Sequence, residues 1–175
     1  MRICDIAKLI TKSIDPRKRP DTIWNLYSLP AFDNGKKCEE VLGSEIMSNK
    51  YIVPTKCILF NKLNVRFKRI WQINSTDAHN ICSTEFLPLV IDESLADFNY
   101  IYHFFHSDYI TNYLTGQNRN TSGSHKRIEP SDFMNINIQL PPLETQRKIG
   151  KILSCIESKI FLNEQINRNL FASAV

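Results

Sequence analysis

The chain has 175 residues, 42% of them hydrophobic and 23% charged, with ten Phe, six Tyr and two Trp. That is enough apolar bulk for one globular domain plus an appended element, and it excludes an intrinsically disordered chain. Its five cysteines, Cys4, Cys38, Cys57, Cys82 and Cys155, are odd in number and nowhere at metal-ligand spacing, so they read as reduced thiols rather than a zinc site or disulfide framework.

The N-terminal run MRICDIAKLITKSIDPRK has no apolar stretch of signal-peptide length. Later runs such as Leu87-Pro-Leu-Val-Ile91 are far too short to span a bilayer, so a cytoplasmic protein is expected. Residues 22–32 mix aromatics with turn formers and end in the turn signal Asp33-Asn-Gly35. Residues 51–60, interrupted by Pro54, predict a strand, a turn and a second strand. Residues 65–73 alternate, Val65 and Phe67 against Arg66 and Lys68, which predicts a half-buried strand with basic residues outward. One or two more strands are expected within 80–91.

From Leu95 the period changes. Phe98, Ile101 or Tyr102, Phe105, Tyr109 and Tyr113 recur at three and four, predicting one amphipathic helix over 95–115, capped by Asp92 or Ser94 and stopped by Gly116. Residues 117–127 read as a polar loop, and 136–140 as a short strand. After Pro141-Pro142, Ile149, Leu153, Ile156, Ile160, Asn163, Asn167 and Leu170 alternate at four and three, a heptad seam with Asn at two late positions. Ile152, Phe161 and Ile166 widen it. A helix from Glu144 to Leu170 would be roughly 40 Å long at about 1.5 Å per residue, longer than a domain of this size can cover.

Net charge is +4, but its distribution carries more information. No acid occurs between Ile46 and Thr76, where Lys50, Lys56, Lys62, Arg66, Lys68 and Arg69 fall, or between Tyr109 and Ile128, where Arg119, Lys126 and Arg127 fall. Lys12, Arg17, Lys18 and Arg19 form a third basic group. Such segments attract phosphate, or else are solvated surface. Gln117, Arg119 and Asn120 on the polar loop have the forked and amide groups that read base edges, and the bland alternative is a solvated loop. Catalytic constellations are absent: there is no Gly-x-Gly nucleotide loop and no Asn-Pro-Pro-aromatic motif. Glu157-Ser-Lys159 lies on a helix, where residues two apart diverge. His103 and His106 lack a third ligand and read as packing or surface histidines.

Ile128-Glu-Pro-Ser-Asp-Phe133, Ile136-Asn-Ile138, Leu140-Pro-Pro-Leu-Glu144, Gln146-Arg-Lys-Ile149 and Ile152-Leu153 resemble the end of a target-recognition domain and the start of its following helix in type I restriction-modification specificity subunits. Gly123-Ser-His-Lys-Arg-Ile128 fits the preceding loop, and Ser48-Asn-Lys-Tyr-Ile-Val-Pro54 with Ile58-Leu59-Phe60 fits the central strand pair. The resemblance implies an α+β fold: a curved-sheet recognition domain with flanking helices over 1–140, then one long coiled-coil helix over 141–175.

It also implies a non-catalytic, half-length specificity subunit. Such a subunit directs methyltransferase and endonuclease subunits to a two-part site on double-stranded DNA. S-adenosylmethionine, ATP and magnesium would belong to those partners, so the chain itself is expected to hold no cofactor or metal. DNA contact is expected at Lys62, Arg66, Lys68, Arg69, Gln117, Arg119, Asn120, Ser124, Lys126 and Arg127, and homodimerisation at Ile149, Leu153, Ile156, Ile160, Asn163, Asn167 and Leu170. One recognition domain and one helix, where the family pattern has two of each, and a tail after Leu170 that departs from family helices, leave activity in the cell open. The alternative is a helical module that pairs with a full specificity subunit without binding DNA.

Overall fold

A computed structural model describes residues 1–116 and 127–173, with side chains described as far as Leu170. The strands divide between two sheets. The first is antiparallel, in the order β1 (Ala7–Leu9), β9 (Phe86–Ile91), β6 (Lys56–Asn61), β7 (Ile70–Asn74). The second runs β2 (Ser13–Ile14), β5 (Lys50–Ile52), β8 (Asn80–Cys82), β3 (Ile23–Tyr27), β4 (Glu39–Leu42), with β3 and β8 parallel.

Strand β6 explains the layering. Ile58 and Phe60 point into a core shared with three helices, α2 (Phe98–Phe105), α3 (Asp108–Gly116) and α4 (Pro130–Met134). Cys57 and Leu59 point the other way, into a second core with Trp71, Ile73 and Phe86, and with Ala31 of α1 (Leu29–Asp33). A strand covered on both faces needs a continuous apolar run, which Cys57-Ile-Leu-Phe60 supplies. On the second sheet, Ile81 joins Trp24 and Ile46 in a third, smaller cluster. The α+β class therefore holds, with two sheets in place of one curved sheet.

The strand-turn-strand over 51–60 and the two strands within 80–91 are present. The expected strand at 65–73 starts only at Ile70. Asn61 ends β6 by accepting the Leu63 amide at 2.8 Å, an Asx turn, and Asn64 has φ +52°. Phe67 N then bonds Asn64 O, and Arg69 N bonds Phe67 O, so residues 62–69 form a turn despite their alternation. The expected helix 95–115 is two helices. The Asp92–Ala96 stretch makes its own turn, Asp97 rather than Asp92 or Ser94 caps α2 through the Tyr100 amide, and α2 ends at His106, whose N–H bonds His103 O. Helix α3 is described as far as Gly116, and the expected stop there borders residues outside the described ones. Residues 136–140 are extended but pair with the chain start only at a bridge from Arg2 to Asn137. The short helix α4, with Pro130 at its first turn, was not anticipated.

The last element, α5 (Leu143–Ser173), is the long helix the heptads predict. Among the described residues no helix is long and apolar enough to cross a membrane.

Candidate nucleic-acid interface and the outer face of the long helix

The two acid-free segments, far apart in sequence, meet at one end of the first sheet. Leu63 bridges Arg127, Ile128 N–H donates to Lys62 O at 2.9 Å, and Lys62 N–H donates to Glu85 O at 2.9 Å. The β6–β7 turn and the end of the polar loop are thereby held side by side. Gln117, Arg119, Asn120, Ser124 and Lys126 lie outside the described residues.

Folding also brings carboxylates that the local sequence lacks. Arg69 grips Asp33 of α1 through two bonds, at 2.7 and 2.8 Å. The guanidinium holds the Asp33 carboxyl below its ordinary pKa. Lys68 Nζ lies 2.6 Å from Asp108 Oδ1 and lowers that carboxyl likewise. Arg127 makes a fork to Glu85, one arm at 3.0 Å, and Lys56 pairs with Glu93. Lys62 and Arg66 have no carboxylate partner among the described residues, and Arg66 is exposed. Arg69 has a structural job, tying the β6–β7 turn to α1 and lying over the Phe67 ring at 4.9 Å.

Helix α5 presents two rows. Gln146, Gly150, Ser154 and Glu157 face α2. Gln146 is buried; its Oε1 accepts the Asp97 amide at 3.0 Å while its Nε2 donates to Pro141 O at 2.8 Å. At Gly150 a Cβ would lie 2.6 Å from Asp97 Oδ1 and 2.8 Å from the Tyr100 amide, so only glycine allows this approach without displacement. Ser154 Oγ lies 3.2 Å from His103 Nε2, and Tyr102 donates to Glu157 at 2.8 Å. Burial lowers the pKa of both His103 and His106. Their partners are Ser154 and the Tyr102 carbonyl, and no metal-ligand cluster occurs among the described residues.

The predicted seam is the adjacent row. Ile149, Leu153, Ile156 and Ile160 each stand one position before Gly150, Ser154, Glu157 and Phe161, which places them about 100° around the helix. Ile149 is half-buried; Leu153, Ile156, Ile160 and Leu170 are 36, 49, 54 and 63% exposed, and Asn163 and Asn167 are exposed too. The helix packs on its own domain through one face and leaves the heptad face open. Gln146, Gly150, Asp97 and Glu157 were missed in the sequence. Gly150 was the one with a readable signal, a lone glycine inside a long helical pattern.

The family model for the type I restriction modification DNA specificity domain matches residues 1–171. The chain belongs to this family. One solved structure similar to it comes from work on the structural basis of complex assembly and conformational transition of the type I R-M system. That chain is 25% identical with a TM-score of 0.77, over 94% of this chain and 43% of the other. Another, the HsdS subunit from Thermoanaerobacter tengcongensis, shares the fold at 24% identity and a TM-score of 0.77, over 95% of this chain and 43% of that one. The chain thus spans under half the length of each. Comparison with curated protein sequences gave no match.

Proposed function

We propose that the chain is a non-catalytic DNA-recognition component of a type I restriction-modification system, directing methyltransferase and endonuclease subunits to a two-part site. Methyl transfer and cleavage, with S-adenosylmethionine, ATP and magnesium, belong to those partners in this reading. The observation that carries it is the family match over residues 1–171 together with a long helix whose seam stays open after the domain has folded. A two-part site needs two recognition domains. Two copies joined through α5 would supply them, and the antiparallel direction that the resemblance implies would set them at opposite ends of a helical spacer.

DNA contact is assigned to the sheet end where the β6–β7 turn meets Arg127. Lys62 and Arg66 supply phosphate-binding charge there; DNA contact by Arg119 and Lys126, which lie outside the described residues, is proposed from the sequence alone. Arg69 and Lys68 serve the fold first. The test is DNA affinity against salt. Each lost phosphate contact flattens the log–log slope by about 0.9. Lys62→Ala with Arg66→Ala should flatten it by up to about 1.8, whereas Arg69→Ala should leave the slope unchanged while lowering stability. Wild-type protein that shows no salt-dependent binding to any duplex would overturn the DNA reading and favour a pairing module that does not touch DNA.

A further inference from the structure

The turn after α1 reaches the long helix. Gly35 and Lys36 both lie at positive φ, +92° and +54°. The second is a conformation that residues with side chains adopt only at a cost, and it persists where surroundings hold it. Here the surroundings are polar and specific. Lys36 Nζ donates to the Tyr102 hydroxyl of α2 at 2.7 Å, and that hydroxyl donates to Glu157 Oε1 of α5 at 2.8 Å. The same Nζ lies 3.6 Å from Glu157 Oε1 and sits over the rings of Phe32 and Tyr102 at 5.6 and 5.3 Å. Tyr102 is 1% exposed, and burial beside Glu157 holds its phenol protonated far above the ordinary range, so it remains a donor. Beyond Glu157, every residue of α5 through Leu170 is exposed.

We infer that Lys36, Tyr102 and Glu157 form a polar latch that fixes the direction of the outer half of α5 relative to the recognition domain, with Lys36 as its positioning residue. Three elements distant in sequence meet at one carboxylate oxygen, beyond which every residue of α5 through Leu170 is exposed. From Glu157 to Leu170 the helix extends roughly 20 Å at about 1.5 Å per residue. A swing of about 10° at the latch would therefore move its tip by roughly 3–4 Å, comparable with the ~3.4 Å rise per base pair of DNA. If the chain reads a two-part site, the latch helps to set the spacing between the parts. That consequence rests on the proposed DNA reading; the latch itself does not.

The experiment measures the angle without DNA. Spin labels are placed at Lys8→Cys on β1 and Ile166→Cys on α5, with Cys4, Cys38 and Cys155 replaced by Ser and the labelled chain diluted in unlabelled protein. Wild type is expected to give one narrow distance distribution. Lys36→Met, Tyr102→Phe and Glu157→Gln should each broaden or shift it by several ångströms, and Lys36→Arg should restore a narrow peak. Lys36 and Glu157 are partly exposed, so their variants keep the domain folded even if the buried Tyr102 variant does not. Distributions unchanged in Lys36→Met and Glu157→Gln would overturn the latch. Broadened distributions in a protein that binds no duplex would uphold the latch and sink the DNA reading, so the two failures are distinguishable.

Discussion

Replacing Gly150 by Ala tests the docking of the long helix through the sign of a stability change. In a helix free of the domain, Gly→Ala stabilises by about 1 kcal/mol, because alanine loses less backbone entropy. In the docked helix the new methyl would lie 2.6 Å from Asp97 Oδ1, 2.8 Å from the Tyr100 amide and 3.2 Å from Asn99 Cβ. Asp97 cannot move without cost, since the same oxygen caps α2 by accepting the Tyr100 amide at 2.8 Å. Losing a cap costs about 1 kcal/mol, and overpacking a filled site adds about 1–3 kcal/mol. Set against the propensity gain, the net destabilisation is about 1–3 kcal/mol. Urea denaturation followed by far-ultraviolet circular dichroism reads the stability change, and amide exchange over residues 143–157 localises it to α5. In an Asp97→Ala background the penalty should shrink, because one of the two closest atoms is gone. A Gly150→Ala protein that is more stable by about 1 kcal/mol would refute the docking.

The open seam should pair: wild-type chain should run as a dimer by light scattering, and Ile156→Asp with Ile160→Asp should make it monomeric without lowering the melting temperature of the domain. A wild type that stays monomeric at tens of micromolar would rule out self-pairing. Purified chain should neither methylate nor cut DNA with S-adenosylmethionine, ATP and magnesium present, and methyl transfer by it alone would contradict a purely recognising role. His106, held below its ordinary value of 6.5 by burial, is neutral in the fold and takes up a proton more readily when unfolded. Its contribution to stability is therefore fully present above about pH 6.5 and is lost as pH falls from there through the lowered folded pKa. Melting temperature should drop between about pH 7 and pH 5, before the Asp33 and Asp108 pairs are lost at lower pH, and His106→Gln should flatten the upper part of that drop.

How much of this was legible depended on whether the deciding interaction was local. The α5 heptads and the apolar run of β6 were readable because periodicity and two-sided burial write themselves into contiguous residues. Residues 65–69 misled because alternation is only half of a strand signal. Asn61 and Asn64 were the other half, since a side-chain acceptor and a left-handed residue bend the chain before the pattern can pair. Charge was legible only in part, for a related reason. The acid-free stretch 46–76 predicts a positive face, but Asp33, Glu93 and Asp108 return from elsewhere to pair with Arg69, Lys56 and Lys68, and Glu85 pairs with Arg127 of the second stretch. Lys50 is buried and bonded to Ser48, so in that run Lys62 and Arg66 alone, without a carboxylate partner among the described residues, keep the character that the linear sequence suggests for all of it. The latch was invisible, because Lys36, Tyr102 and Glu157 stand 66 and 55 residues apart along the chain.

The division of labour on α5 inverts what an amphipathic helix usually does. Its row against the domain is Gln146, Gly150, Ser154 and Glu157, polar or small, and its apolar row faces outward. Hydrogen bonds contribute only about 1 kcal/mol each but are directional, so a polar docking row is suited to fixing an angle rather than to gaining burial. Burying an Ile or Leu contributes about 1.5–3 kcal/mol without directional preference, so an apolar row is suited to association. Had the apolar row faced α2, the helix would have been held firmly but with nothing left to pair. With the polar row inward, the direction of the helix is set before any partner arrives, and a partner gains the burial of the surface that Leu153, Ile156 and Ile160 still expose. Exchanging the rows, by Gly150→Leu with Ile149→Ser and Leu153→Ser, should therefore weaken pairing and disturb the helix angle together, whereas the aspartate variants at Ile156 and Ile160 should abolish pairing and leave the angle intact.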